Sequence, residues 1–240
     1  MKTIQTTIAI LALTIFAMSC SKDNVNYNAK KDSTHLLIKS TSSDGLINNY
    51  EYDFKNRSIN YKLNGNAVNL PRDHDFSYNT DGTLDEIIDN ADGSVITKYF
   101  YDASKKLIKR TYKNLYVDTY TYDNNKIYEQ NVNTSSGNTY KRIYTIDTNG
   151  NISEIKYFDQ ITADNPNGVQ SGTVVYTYDD KKSAGSSLPA AYNFPRNNKN
   201  NQLTEKYNSF PMEILIYEYN INDFPTKRTQ GNEVTTYQYK

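Results

Sequence analysis

The chain has 240 residues, with 27 Lys and Arg against 27 Asp and Glu and a formal net charge of zero. No broad field of either sign is available to attract nucleic acid or an anionic surface, so no nucleic-acid partner is expected. A single cysteine excludes a disulfide framework and a thiolate metal cluster, which leaves packing and sheet hydrogen bonds to hold the fold.

In chain order, Lys2 and the apolar run from Ile8 to Met18 read as a signal peptide, too short and too interrupted by Thr14 to remain as a membrane span. Residues 1–19 are therefore read as the leader, 20–33 as a flexible tether and 34–240 as a single domain. Phe16-Ala17-Met18-Ser19-Cys20 resembles the lipobox of bacterial lipoproteins, with Ala17 where a Leu is usual. That resemblance implies acylation of the Cys20 thiol, and several acyl chains would tether the protein without a protein span. Ser21-Lys22-Asp23-Asn24 resembles the Lys-acidic stretch of surface-exported lipoproteins of Bacteroidota. The implied location is the outer membrane, lipid-anchored and facing the cell surface, with a periplasmic face as the alternative.

Beyond the tether an aromatic-x-Tyr-Asp pattern recurs. It ends at Tyr52-Asp53, Tyr78-Asn79, Tyr101-Asp102, Tyr122-Asp123, Ile146-Asp147, Tyr178-Asp179, Tyr219-Asn220 and Tyr239-Lys240. Most copies lie 20 to 26 residues apart, and the two longer gaps carry insertions around 160–172 and 181–207. The two rings of each copy share one face of a strand, because side chains alternate along extended backbone. The Asp or Asn that follows is a turn-capping residue, and an apolar residue then restarts a strand, as at Leu84, Leu107 and Ile152. Asp81-Gly82 and Asn149-Gly150 supply hairpin turns. No sustained helical period is present. The expected fold is an all-β antiparallel meander of roughly 14 to 16 strands, which must curl, split or close because open sheets rarely exceed about ten.

Tyr78-Asn79-Thr80-Asp81-Gly82-Thr83-Leu84 resembles the YD repeat of Rhs proteins and teneurins, over residues 46–180 and 214–240. The leader, the repeats and Tyr178-Asp179-Asp180-Lys181 before a long loop are together similar to a Bacteroidota lipoprotein family of unknown function with a porin-like fold. The resemblance implies a strongly curved or closed, barrel-like sheet and no activity. A lipid-facing barrel needs an apolar residue at every second position. Lys109, Thr119, Thr121, Glu129, Glu154 and Lys156 interrupt whichever face is chosen, so a soluble barrel is expected.

Candidate sites are weighed against plainer readings. The tyrosine ladder, 23 Tyr with 8 Phe, is either cross-strand packing or a platform for flat sugar faces, and packing is favoured because the motif defines every copy. The loop 181–201, with Pro189, Tyr192, Phe194 and Pro195, is read as either a partner-binding loop or a flexible insertion. Thr162 to Gly172 reads as a solvated turn. Arg72-Asp73-His74-Asp75 groups an imidazole with two carboxylates, but His35 is the only other histidine and a solvated loop is the plainer reading. Asp147-Thr148-Asn149-Gly150 lacks the Glu that a calcium loop needs.

No Ser-His-Asp set, Gly-x-Ser-x-Gly elbow or phosphate-binding glycine loop is legible, so no catalytic residue, metal or cofactor is assigned. The expected function is a noncatalytic, membrane-anchored surface module with an unidentified ligand, of which an extracellular glycan or an envelope protein is the expected class. A structural envelope protein without a ligand is the first alternative. The second is a carbohydrate-active enzyme, which would need a solvent-lined carboxylate pair inside the sheet.

Overall fold

A computed structural model describes residues 35–65, 72–196 and 198–240; the leader, the tether and Cys20 lie outside the described residues. Among the described residues sixteen strands follow one another. The first eight are β1 (Leu37–Ser42), β2 (Ile47–Tyr52), β3 (Ser58–Asn64), β4 (Arg72–Tyr78), β5 (Leu84–Asp89), β6 (Val95–Tyr101), β7 (Leu107–Tyr112) and β8 (Tyr116–Asp123). The rest are β9 (Lys126–Asn133), β10 (Thr139–Ile146), β11 (Ile152–Asp159), β12 (Val169–Lys182), β13 (Asn200–Tyr207), β14 (Glu213–Tyr219), β15 (Pro225–Gln230) and β16 (Glu233–Tyr239). Each pairs antiparallel with its sequence neighbours, and β1 pairs with β16 through Leu37↔Tyr239 and Ser40↔Tyr237, so the meander closes into a barrel.

Every copy of the aromatic motif lies on an even-numbered strand, at its end in all but β12, which runs on to Lys182, and its parts have separate jobs. The first ring points inward: Phe76, Tyr99, Tyr120, Tyr144 and Tyr176 are buried in one core with Leu84, Leu107, Ile127, Ile152 and Ile155. In six copies the second tyrosine is a latch to the preceding strand, while the Tyr219 hydroxyl donates to Asp179 and Ile146 has no hydroxyl. The Tyr52 hydroxyl donates to the Leu37 carbonyl, Tyr78 to Ser58, Tyr101 to Leu84, Tyr122 to Leu107, Tyr178 to Ile152 and Tyr239 to Pro225, at 2.5 to 2.9 Å. Each acceptor is the first residue of its strand, so one hydroxyl ties the end of a hairpin to its beginning.

The acidic residue then closes the turn. Asp53 Oδ1 accepts the backbone N–H of Lys55 and Arg57, Asp102 those of Ser104 and Lys106, and Asp147 those of Asn149 and Asn151. These are the i+2 and i+4 donors of a tight turn whose third residue takes a left-handed backbone. Gly82 and Gly150 fill that position in two copies, with φ of 87° and 89°, while Asn56, Lys105 and Asp223 fill it elsewhere. The scarcity of glycine in these turns is thus met by residues that tolerate, at some cost, the same geometry.

Asp179 keeps the same device across a much longer connection. Its Oδ1 accepts the N–H of Lys181, as expected at i+2, but the second donor is Asn201 rather than residue i+4. The long loop is therefore an insertion within an ordinary turn of this repeat. The Thr162 to Gly172 segment is a turn only as far as Gly168, because Val169 already opens β12.

The insertion does not project into solvent. After a single 3-10 turn, Ala184–Ser187, it runs round the inside of the barrel. The Ser187 hydroxyl accepts the N–H of Leu37 on β1 and lies 3.2 Å from the Tyr52 hydroxyl. Tyr192 packs edge-on to Phe76 and tilted against Tyr61. Phe194 packs edge-on to Tyr120 with ring centroids 4.9 Å apart, and its carbonyl accepts from Arg110. The exit is held at the next turn, where buried Asn151 accepts the N–H of Lys199 and Asn198 accepts that of Ile152. The segment packs within the barrel against β1, β4 and β8. A barrel of about eight strands is filled by its own side chains, and one twice as large leaves a lumen. Here Leu188, Ala191 and Phe194 fill part of it.

Candidate binding site in the barrel lumen

Strand pairing sets the lining of the lumen row by row, since residues directly opposite each other share a face. One row runs Tyr99, Arg110, Asp118, Asn131 across β6 to β9. A second runs Tyr120, Glu129, Arg142, Tyr157 across β8 to β11. The third, Tyr122, Ile127, Tyr144, Ile155, is mostly apolar and floors the site. Charge sits above grease because the polar rows lie farther from the Tyr-Asp turns.

The charges are paired. Arg110 Nε and Nη2 donate to one oxygen of Asp118 at 2.8 and 2.6 Å, while the Asn131 amide donates to the other. Glu129, with only 1% of its side chain exposed, accepts from Arg142 Nη1 at 2.9 Å and from the Tyr120 and Tyr144 hydroxyls at 3.2 and 2.5 Å. Burial pushes both phenols above their ordinary pKa, and Glu129 beside them pushes the same way, so they stay protonated donors. Burial opposes the charge of Arg110 and Arg142, but the neighbouring Tyr120 and Asp118 in one case and Glu129 in the other raise their pKa. A buried ion pair is sustained when further hydrogen bonds support it, and here Asn131 adds one to Asp118 while the two tyrosines add theirs to Glu129.

Two cavities among the described residues border the inserted loop. The larger, about 960 Å³, lies between β3 and β9 and includes Tyr61, His74, Tyr99, Arg110, Asp118 and Asn131 in its wall. The smaller, about 470 Å³, includes Arg110, Glu129, Arg142, Tyr157, Phe194 and Arg196. Tyr192 and Asn193 line both, so the inserted loop partitions the lumen and Arg110 is shared between the two compartments.

The structure separates the residues grouped by sequence proximity at 72–75. They lie on β4 rather than in a loop, and alternation turns Arg72 and His74 to the lumen. Asp73 and Asp75 face the other way, where the amides of Asn60 and Asn90 donate to both. Burial lowers the pKa of His74, with Asp89 opposing. His35 stacks on Phe224 instead, with centroids 4.7 Å apart. Asp147 to Gly150 form the hairpin turn that Asn-Gly predicts.

Arg110, Asp118, Glu129 and Arg142 escape a search built on the tyrosines alone. A signal was present: Asp118 stands two before Tyr120 and Glu129 two after Ile127, which places both on the inward parity.

Neither a protein-family model nor a curated protein matches the chain. Among solved structures it is similar to the Tc holotoxin pore of Photorhabdus luminescens, at 13% identity and a TM-score of 0.34. The match covers 85% of this chain and 13% of that one, so the chain spans a small part of its neighbour's length.

Proposed function

We propose that the protein is a noncatalytic, lipid-anchored binding barrel of the bacterial envelope, tethered through Cys20 as in the Bacteroidota lipoproteins it resembles, and that its lumen takes an extracellular glycan. The observation that carries this reading is the 960 Å³ cavity, preformed within a closed wall and combining tyrosine faces with fixed polar groups. That volume lies within the usual range for ligand sites, and aromatic walls with a few oriented donors suit the flat apolar faces and hydroxyl rims of sugars.

Two of the carboxylates inside the barrel, Asp118 and Glu129, support binding over hydrolysis. A general acid or base needs a lone pair or proton within reach of the substrate. Both oxygens of Glu129 and both of Asp118 are occupied by arginine, tyrosine or asparagine donors. The outer face of β7 to β11 carries Lys109, Thr119, Thr121, Glu154 and Lys156. That supports anchoring by lipid rather than by the barrel wall.

The test is calorimetric titration of the mature chain, residues 20–240, with a panel of neutral and acidic oligosaccharides. Saturable binding that is lost on narrowing the cavity by Thr97→Phe is expected. A panel that returns no binding at millimolar concentration would sink the glycan reading. For the tether, Cys20→Ala is expected to release the protein from the membrane fraction, and retention of that variant would refute lipidation as the anchor.

A further inference from the structure

The two most exposed large apolar side chains among the described residues are Ile221, at 97%, and Phe54, at 90%. Both occupy one position of the repeat, the tip that follows the turn-closing Asn220 or Asp53. In the other turns that position holds Thr80, Ala103, Asn124, Thr148 or Asp180, all polar or small. The turns themselves do not need an apolar tip, because they are closed by backbone donors to the Asn220 and Asp53 side chains. Single exposed apolar residues are ordinary on a protein surface, but these two are not scattered.

They flank the point where the chain enters the barrel. On one side His35 stacks on Phe224, in the same turn as Ile221, with ring centroids 4.7 Å apart. On the other, the Leu37 carbonyl accepts from the Tyr52 hydroxyl, two residues before Phe54. Cys20 precedes His35 by 15 residues. Fully extended, that tether spans about 50 Å, so the rim from which it starts is the part of the barrel held nearest its attachment. The same rim carries lysines: Lys55 lies over the Phe54 ring, Lys182 over Phe224 and Lys240 over Tyr52, 4.8 to 5.4 Å from the centroids. Of the acids there, Asp53 is paired with Arg57 and Asp223 with Lys181, while Asp180 stays exposed.

We propose that this rim of the barrel rests on a phospholipid surface, with Phe54 and Ile221 inserted at the boundary of headgroups and acyl chains and Lys55, Lys182 and Lys240 at the level of the phosphates. The inference rests on anchoring through Cys20 and adds the orientation of the barrel. Apolar tips with lysines behind them combine the two attractions that hold a peripheral protein to anionic lipid. A weak insertion suffices, because a covalent tether keeps the effective concentration of the surface high. The wall of the larger cavity includes Leu46, Tyr112, Lys113 and Tyr116, at the turns of the opposite rim. Seated this way, the barrel turns that end of its lumen away from the lipid. A rival contact is the outer row Met212, Ile214 and Ile216 of β14, 53 to 64% exposed, which would lay the barrel on its side.

The chain contains no tryptophan, so a single introduced one reports its own surroundings. The acylated protein carrying Phe54→Trp, Ile221→Trp, Ile216→Trp or Leu115→Trp is reconstituted into vesicles of equal parts phosphatidylcholine and phosphatidylglycerol, with and without bromine in the acyl chains. Leu115, 44% exposed in the β7–β8 turn, reports the opposite rim. Brominated chains are expected to lower the emission of Phe54→Trp and Ile221→Trp at least about two-fold, because a tip seated in the interface reaches the acyl boundary where bromine quenches. Leu115→Trp and Ile216→Trp are expected to keep their emission. Vesicle-bound protein in which Phe54→Trp and Ile221→Trp are unquenched overturns the seating and leaves the tether standing. Quenching strongest in Ile216→Trp overturns it in favour of side-on contact through β14, and quenching strongest in Leu115→Trp in favour of the inverted orientation. Acylated protein that fails to float with the vesicles overturns the tether and the seating together.

Discussion

Truncating Phe194 tests whether the inserted loop is part of the barrel's core. The ring is 8% exposed, meets Tyr120 edge-on at 4.9 Å and touches Tyr122, while its own carbonyl is held by Arg110. Burying a phenylalanine side chain contributes about 2 to 3 kcal/mol, and an edge-to-face aromatic pair adds about 1 kcal/mol. Phe→Ala substitutions in cores cost about 3 to 5 kcal/mol. Phe194 borders the 470 Å³ cavity and has fewer neighbours on that side, so the low end applies and Phe194→Ala should cost about 3 kcal/mol. For a domain of this size each kcal/mol lowers the unfolding midpoint by about 2 to 4 °C, which gives a fall of roughly 6 to 12 °C. The assay is thermal unfolding followed by circular dichroism, with near-ultraviolet tyrosine signals reporting the ring environment. Ile221→Ala is the control, since Ile221 is 97% exposed and its loss should leave the midpoint within about 2 °C. A midpoint for Phe194→Ala equal to that of the control would refute the loop as core.

Lys105 holds the left-handed position of its turn with φ of 62°, a conformation costing a non-glycine residue roughly 1 kcal/mol, so Lys105→Gly should raise the midpoint by a few degrees in the same melt. A lower midpoint would show that its exposed contact to the Asp81 carbonyl outweighs the backbone term. Tyr101→Phe removes one latch hydroxyl and should cost about 1 kcal/mol by urea unfolding, with an unchanged slope. No loss in that variant would mean the latch hydrogen bonds are decorative. Burial pushes Tyr52 and Tyr176 up to about 12, above the 10 of a free phenol. The folded barrel thus favours the neutral phenol: this stability is complete below pH 10 and is lost as the pH rises through about 12. Absorbance at 295 nm should accordingly show a late class of tyrosines titrating together with unfolding, and a single midpoint near 10 in a still-folded protein would contradict their burial.

The sequence by itself determined everything that acts within one or two hairpins. Rings two positions apart must share a strand face, an Asp after them must seek the backbone N–H groups two and four residues on, and an apolar residue must restart the next strand. For that reason the even strands, their turns and the all-β meander are legible from Tyr50 to Tyr239. Closure was left open, because the pairing of Leu37 with Tyr239 joins residues that no local pattern relates, and a curled or split sheet would satisfy the same hairpins. The place of the inserted loop was open for a related reason. Pro189, Tyr192 and Phe194 carry the composition of either a surface loop or a core segment, and only a sixteen-strand wall with a lumen its own side chains cannot fill draws them inward. The pairing of Arg110 with Asp118 and of Arg142 with Glu129 follows from strand register, which is settled by the whole barrel at once rather than by any one repeat.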